Sequence, residues 1–347
     1  MICHLLVPYP AAPAAAGAAS LSGIELPALE TLMARGERVR YDHRSIERWL
    51  AAAFRVDHGG KPALAPFALR GEGCDPGTHG WLCADPVHLW IEAGRAWLTD
   101  ASRFAITADE AREFTDALNA HFGGRGFSFL APAPRRWYLR VPSAPRLCAT
   151  PTAEVSGKDI ASYLPTGDDQ AHWRGVSNEA QMLLHAHACN ERREQRGEPA
   201  VNSLWLWGAG VERRPEPSPR YHVVWSDHPL AKGLGLSSGI DTRPLPASGA
   251  DFLRDAAGVR GPRDALHLLV LGPPQDVARG DLDALPELLL RLERGWIAPL
   301  LAGTLEGAVA AMVLIAVGAR GGWSTTFTRT DRLKFWRRRK RISEYFA

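Results

Sequence analysis

Short, wholly apolar runs alternate along this chain with stretches whose apolar residues recur at helical spacing. Ile2–Val7 is a continuous apolar run, the pattern of a strand buried on both faces of a parallel sheet. The Ala-, Pro- and Gly-rich stretch Pro10–Ser22 reads as a loop. Leu26–Arg35 and Arg44–Phe54 have helical spacing, the latter with Ile46, Leu50 and Phe54 on one face. The polar, punctuated stretch Gly59–Pro66 reads as a boundary. Beyond it, Val87–Ile91 and Arg95–Leu98 predict paired strands, and Phe127–Leu130 and Arg136–Val141 two more. Between these pairs, Thr107 is the expected N-cap of a helix over Ala108–Phe122, with Glu110 completing a capping box.

The second half repeats the alternation. An amphipathic helix is expected over Asp169–Gln195, terminated by Gly197 and Pro199. Ser203–Trp207, Tyr221–Ser226, His267–Leu271 and Ala311–Val317 are short apolar runs with helical segments between them. Strands alternating with helices predict a parallel, helix-covered sheet. The most membrane-like stretch, Ile297–Val317, contains Glu306 and two glycines, and only Ala308–Gly318 is continuously apolar. A bilayer span needs about 20 apolar residues, so a buried helix followed by a buried strand is expected, and no membrane partner.

Composition narrows this picture only a little. The 347 residues are 46% apolar and 23% charged, ordinary for a globular chain long enough for two domains or one large domain with an insertion. A net charge of +3 does not by itself indicate nucleic acid or membrane. The five cysteines are scattered, odd in number and without C-x-x-C spacing. That favours reduced thiols in a cytoplasmic protein over a disulfide framework or a zinc site. The start, MICHLLVPYP, lacks the basic region of a signal peptide.

The segment Asn178–Gly210, NEAQMLLHAHACNERREQRGEPAVNSLWLWGAG, resembles a stretch of the archaeal-type cofactor-independent phosphoglycerate mutases. The matching residues are His187, Asn190, Arg193, Gly197, Asn202, Gly208 and Gly210. The likeness continues upstream through Leu98–Asn119 and Trp137–Val141. Downstream it takes in Val223–Ile240, where Lys232 falls on a lysine position of the family, and His267–Leu290. The wording NEAQMLLH and VNSLWLWG is closer still to a proteobacterial family named for the regulatory protein RpfE.

The resemblance implies an α/β protein with an alkaline phosphatase-like three-layer core, a mostly parallel sheet and an inserted α+β domain. The expected division is 1–65 and 203–333 for the core, 66–202 for the insert and 334–347 for a basic tail. It also implies a two-metal site, built from Asp and His at the carboxyl ends of the strands around a Ser or Thr nucleophile. The residues in those places depart from that pattern. Pro8-Tyr9-Pro10 stands where an Asp-Gly is expected. The loop GPPQDVARGD offers Gln275 or Asp276 for the Asp, but Arg279 or Gly280 for the His. Gly318-Ala319-Arg320-Gly321-Gly322 stands where an Asp-His belongs. Ser45 and Ser22 are candidate nucleophiles; the structural alternative makes Asp42 and Ser45 helix N-caps. The expectation is a phosphoglycerate mutase-like protein without a metal or other cofactor, acting as a cytoplasmic regulatory or interaction protein with a protein partner. The alternative is an active mutase or phosphatase holding Mn or Mg through divergent ligands.

The remaining polar residues admit two readings each. Asn190, Arg193 and Asn202, with His187, Arg140 and Lys232, could line a pocket for an anionic ligand. Alternatively, Asn190, Arg193 and Asn202 form a buried hydrogen-bond network at the junction of insert and core. His185 and His187 are two residues apart and cannot share an i, i+4 metal site. Trp205 and Trp207 read as core, and as a base-stacking platform only if exposed. Gly208-Ala209-Gly210 and Gly233-Leu234-Gly235 do not complete a dinucleotide-binding fingerprint. The tail Lys334–Arg341 carries six cations, Lys334, Arg337, Arg338, Arg339, Lys340 and Arg341, beside Phe335 and Trp336. It reads either as a nucleic-acid or acidic-partner contact, or as a solvated terminal helix whose aromatics pack on the core.

Overall fold

The structure, a computed structural model, describes residues 1–8, 21, 23–56, 62–213, 215, 220–259, 261–262, 264–272, 285–318 and 320–346. The chain forms two compact units, Met1–Trp49 with Arg220–Ala347, and Leu50–Pro219.

The first unit is built on a seven-stranded sheet. Its strands are β1 (Ile2–Pro8), β2 (Glu37–Tyr41), β8 (Val223–Ser226), β9 (Asp241–Arg243), β10 (Leu266–Val270), β11 (Ala311–Gly318) and β12 (Gly321–Thr328). Their order is β2-β12-β11-β1-β10-β8-β9. The run β11-β1-β10-β8-β9 is parallel, and β12 and β2 add antiparallel pairs at one side. The apolar runs of the sequence become the centre of this sheet because they have helices to bury both faces: every residue of β10 is buried. Leu5, Leu269, Leu314 and Trp225 share one core with Phe252, Ile297, Leu300 and Phe327.

The membrane-like stretch resolves into the end of a π-helical turn (Glu293–Ile297), a helix (Ala298–Glu306) and β11. Among the described residues, no helix is long and apolar enough to cross a membrane. The helix Pro27–Arg35 has Leu26 at its N-cap and no capping side chain of its own. Glu293 replaces it from the π-helical turn, accepting from the backbone N–H groups of Ala28 (2.6 Å) and Leu29 (2.9 Å).

The second unit is antiparallel. It contains β3 (Gly80–Glu92), β4 (Arg95–Asp100), β5 (Ser128–Ala133), β6 (Arg136–Val141) and β7 (Ser203–Gly210). The order is β4-β3-β6-β5, with β7 also paired to β3. Helices Ala108–Phe122 and Gln170–His185 lay Phe114, Leu118, Trp173 and Val176 against Leu82, Leu139, Leu204 and Leu206. The Thr107–Glu110 capping box forms as the sequence predicts.

Two sequence expectations change here. The boundary at 202/203 gives way because β7 is hydrogen-bonded along β3 from Val87 to Trp81, so Ser203–Gly210 completes the sheet of the second unit. The single helix over Asp169–Gln195 is two, Gln170–His185 and Ala188–Gln195. The break falls at Ala186–His187, where His187 turns extended and caps the second helix with its own ring. Glycines 208 and 210 let the segment at Ala63–Ala65 lie against β7. Gly208 adopts φ +66°, and a Cβ there would stand 3.1 Å from the Ala65 nitrogen.

Candidate functional site

Because β1, β8, β10 and β11 run parallel, their carboxyl ends meet one edge of the first unit's sheet, and β2 ends there too at Tyr41. A chain that ends several strands at one edge places loops and helix starts together, which is where α/β folds carry their chemistry. From Tyr41 the chain passes through Asp42 and His43 to Ser45, at the head of helix Ile46–Ala53. Ser45 is buried and its Oγ accepts from the Arg48 N–H at 3.3 Å, which makes it the helix cap. Asp42 faces outward in an ion pair with Arg44 (3.5 Å). Ser22, the other candidate nucleophile, lies outside the described residues.

Beside Ser45 stand two residues that sequence reasoning passed over. Glu47 has its carboxyl almost wholly enclosed. Desolvation pushes its pKa up, against the lowering effects of backbone and Ser45 hydrogen bonds and of the Arg48 charge. Glu47 Oε2 is buried without a hydrogen-bond partner, and Oε1 lies 3.9 Å from Nε2 of His228. His228 comes from the turn after β8, where Ser226 Oγ accepts the His228 N–H (2.9 Å) and donates to the Val270 carbonyl (3.1 Å). That pair of bonds fastens the turn to β10. Asp227, between them, is exposed and accepts from the Leu245 N–H at 3.4 Å. The result is a hydroxyl, a carboxyl biased toward its protonated form and an imidazole at one edge. The signal in the sequence was an Asp-His pair directly after an apolar strand, at a position where the family resemblance asks for none.

The resemblance implies a metal-ligand pair directly after β11. After β11, Gly318 is paired with Gly321, so two residues join β11 to β12, and the one described, Arg320, is exposed. A hairpin turn with a guanidinium offers no carboxylate or imidazole to a cation. Tyr9, Pro10, Gln275, Asp276, Arg279 and Gly280 lie outside the described residues. Among the described residues, no group of three potential ligands lies together at this edge.

One group of three potential ligands is present among the described residues, Glu113, His187 and Cys189, in the second unit. It is already served by a cation. The Arg192 guanidinium bonds the Glu113 carboxylate and also reaches Cys189. His187 Nδ1 accepts from the Cys189 N–H (3.2 Å), and burial pushes the Cys189 thiol up, away from the thiolate a metal requires.

The proposed anion-binding residues separate. Asn190 donates to the carbonyls of Leu184 and Val201 and accepts from the Val201 N–H. Arg193 is wholly buried. It pairs with Glu110 at 2.7 Å, donates to the carbonyls of Pro199 and Ala105, and lies over the Phe104 ring. Asn202 exchanges two hydrogen bonds with the backbone of Leu89. Asn190 and Arg193 are buried and Asn202 half-buried, and each bonds partners within the second unit. Arg140 is exposed on β6, and Lys232 belongs to helix Pro229–Ser237 of the first unit. Trp205 and Trp207 are buried, their indole N–H groups donating to the Thr150 carbonyl and to Asp85. They are core, not a stacking platform.

The basic tail also departs from its structural alternative. Lys334–Arg341 is not helical; the last helix is Ile342–Phe346. Phe335 and Trp336 do not pack on the core and are 77% and 65% exposed.

These features define an α/β architecture whose first unit carries a mostly parallel sheet. No family model matches the chain. It is 28% identical over 233 residues to the 2,3-bisphosphoglycerate-independent phosphoglycerate mutase of Methanothrix thermoacetophila, which covers 63% of this chain and 58% of that protein. The enzyme of the same name from Methanosarcina barkeri is 28% identical over 227 residues, covering 61% and 56%. A solved Pyrococcus horikoshii protein superposes with a TM-score of 0.55 at 16% identity, over 94% of this chain and 87% of that one. The chain is therefore distantly similar to the cofactor-independent phosphoglycerate mutases. It spans less than two thirds of the length of the curated relatives it matches.

Proposed function

We propose that this chain is a phosphoglycerate mutase-like protein that has lost two-metal phosphoryl transfer and serves as a cytoplasmic regulatory or interaction protein, allied to the RpfE-type family, with a protein partner. The observation that carries this reading is the hairpin between Gly318 and Gly321, with the exposed Arg320 at the turn where the resemblance implies an Asp-His ligand pair. That Asn190, Arg193 and Asn202 each bond partners within the chain supports it. The test is metal analysis of the purified chain together with turnover of 3-phosphoglycerate. The expected result is less than one tightly held Mn, Mg or Zn per chain and no mutase or phosphatase activity above background. Two ions per chain with activity would overturn the reading.

A second reading rests on Ser45, Glu47 and His228. A hydroxyl at a helix start beside a carboxyl and an imidazole is a constellation able to support phosphatase chemistry with divergent groups. Its test is a phosphatase assay on the intact chain and on His228→Gln. Activity that falls at least tenfold in the variant, with unchanged thermal stability, favours this reading over the first.

A further inference from the structure

The tail carries charge and aromatic surface that the proposed function does not use. Of its six cations, Lys334 pairs with Asp331 (2.5 Å) and Arg341 with Glu25 (3.2 Å). Arg337, Arg338, Arg339 and Lys340 are exposed and have no ion-pair partner among the described residues. The segment is held at both ends. Lys334 also donates to the Arg35 carbonyl (3.5 Å), and immediately beyond Arg341 the Ile342 side chain is buried in the first unit's core. The Ile342 N–H bonds Glu30, and Tyr345 lies under the Arg38 guanidinium. Four cations without an ion-pair partner among the described residues and two exposed rings are thus displayed on a strap fixed at both ends. Part of the ordering entropy that a loose tail would lose on binding is already spent.

Exposed Phe and Trp rings hold large apolar faces in water. Beside a run of cations, they match a ligand that alternates flat apolar faces with negative charge. We infer that Lys334–Lys340 is a binding surface for single-stranded nucleic acid, Phe335 and Trp336 stacking on bases while Arg337, Arg338, Arg339 and Lys340 hold the phosphates. Single strands bind in this way, through stacking rings in a basic groove without base-specific readout. An anionic membrane fits less well. Interfacial binding segregates cations and rings onto opposite faces of an amphipathic helix, and this segment has no helix.

The test uses the full chain and fluorescence anisotropy with labelled 12-mers of oligo(U) and oligo(dT), a 12-base-pair duplex and vesicles of phosphatidylserine in phosphatidylcholine. The expected result is binding of at least one single strand in preference to the duplex. Its log–log salt slope is expected near −3, as about four phosphate contacts give for single strands. The double variant Phe335→Ala, Trp336→Ala is expected to weaken binding by at least about 5-fold, the low end for one lost stack. Replacing residues 337–340 with Gln is expected to remove most of the salt dependence. Oligo(U) against oligo(dT) separates RNA from DNA. All replaced side chains are exposed, and matching melting temperatures would show that the variants fold. No single-strand binding above that of the Gln variant overturns the proposal. So does duplex binding as tight and indifferent to loss of the rings, and so does binding to vesicles alone.

Discussion

At the scale of single residues, buried ionisable groups set how this protein responds to pH. His267 sits in β10 at 2% exposure, with Trp225 donating its indole N–H to His267 Nδ1 at 3.1 Å. Burial pulls its pKa down to about 4, with the chain's terminal ammonium and His222 adding to the effect. His4 on β1, bonded to the Tyr221 hydroxyl, is likewise lowered to about 4 by burial. Both are neutral in the fold, whereas in the unfolded chain they take up protons near 6.5. Their contribution to stability is therefore complete above that value and is lost as pH falls toward 4. Between pH 7 and pH 5 His267 alone is expected to account for about 2 kcal/mol of lost stability. Urea unfolding at both values, on wild type and His267→Asn, checks this. The pH-dependent loss should shrink in the variant, and an unchanged loss would remove His267 from the account. Glu47 acts in the opposite direction. Its raised pKa means that its contribution declines as pH rises above the ordinary glutamate range.

At the scale of elements, the helix Pro27–Arg35 depends on a partner distant in sequence. Pro27 starts it, but a leucine occupies the N-cap and supplies no acceptor. Glu293 closes two buried N–H groups from the π-helical turn that precedes Ala298–Glu306. Burial pushes the Glu293 carboxyl up while these two bonds pull it down, so the cap is held against a desolvation cost. Glu293→Ala leaves both donors buried without an acceptor and is expected to cost about 2–4 kcal/mol. Glu293→Gln keeps one carbonyl acceptor and is expected to cost less than half of that. Chemical denaturation of the two variants checks the order; equal small losses would show that water or a shifted backbone serves the helix instead.

The same dependence explains which elements were legible in the sequence. The capping box at Thr107 and the strands β1, β10 and β11 carry their signal locally, in a cap spacing and in unbroken apolar runs. β2, reading Glu-Arg-Val-Arg-Tyr, is an exposed edge strand whose charges hide it. β12, rich in Ser and Thr, is a strand because β11 and β2 flank it. The pairing of Glu47 with His228 was illegible for a related reason. They come from separate stretches of chain, and only the parallel sheet ends both at one edge. The asparagines and Arg193 stood out as polar residues in an apolar neighbourhood, and that signal was real. The structure assigns it to backbone carbonyls and Glu110 rather than to a ligand, a distinction that depends on where the partners fold.

For the whole molecule, the division of the apolar residues leads to a test. Among the described residues, the cluster containing Leu5, Leu269 and Phe327 draws on residues before position 50 and after position 219. Among the described residues, the cluster containing Leu82, Phe114, Trp137 and Leu206 draws on residues between those limits. The second unit is thus one continuous length of chain with its own sheet, its own buried ion pair at Arg193–Glu110 and its own apolar centre. Chains of that size bury enough surface to fold alone. The first unit needs two separated lengths, because β1 lies between β10 and β11 and its hydrogen bonds are made to strands that follow the insert. Residues 50–219 expressed alone are therefore expected to unfold cooperatively in urea. Their tryptophan emission should shift to the red as Trp137, Trp205 and Trp207 leave the interior. Residues 220–347 alone lack the central strand β1 and are expected to bind a hydrophobic dye and to melt without a sharp transition. Cooperative unfolding by the second fragment and not the first would reverse the assignment of which unit is autonomous. It would also imply that the inserted unit is completed by the chain around it.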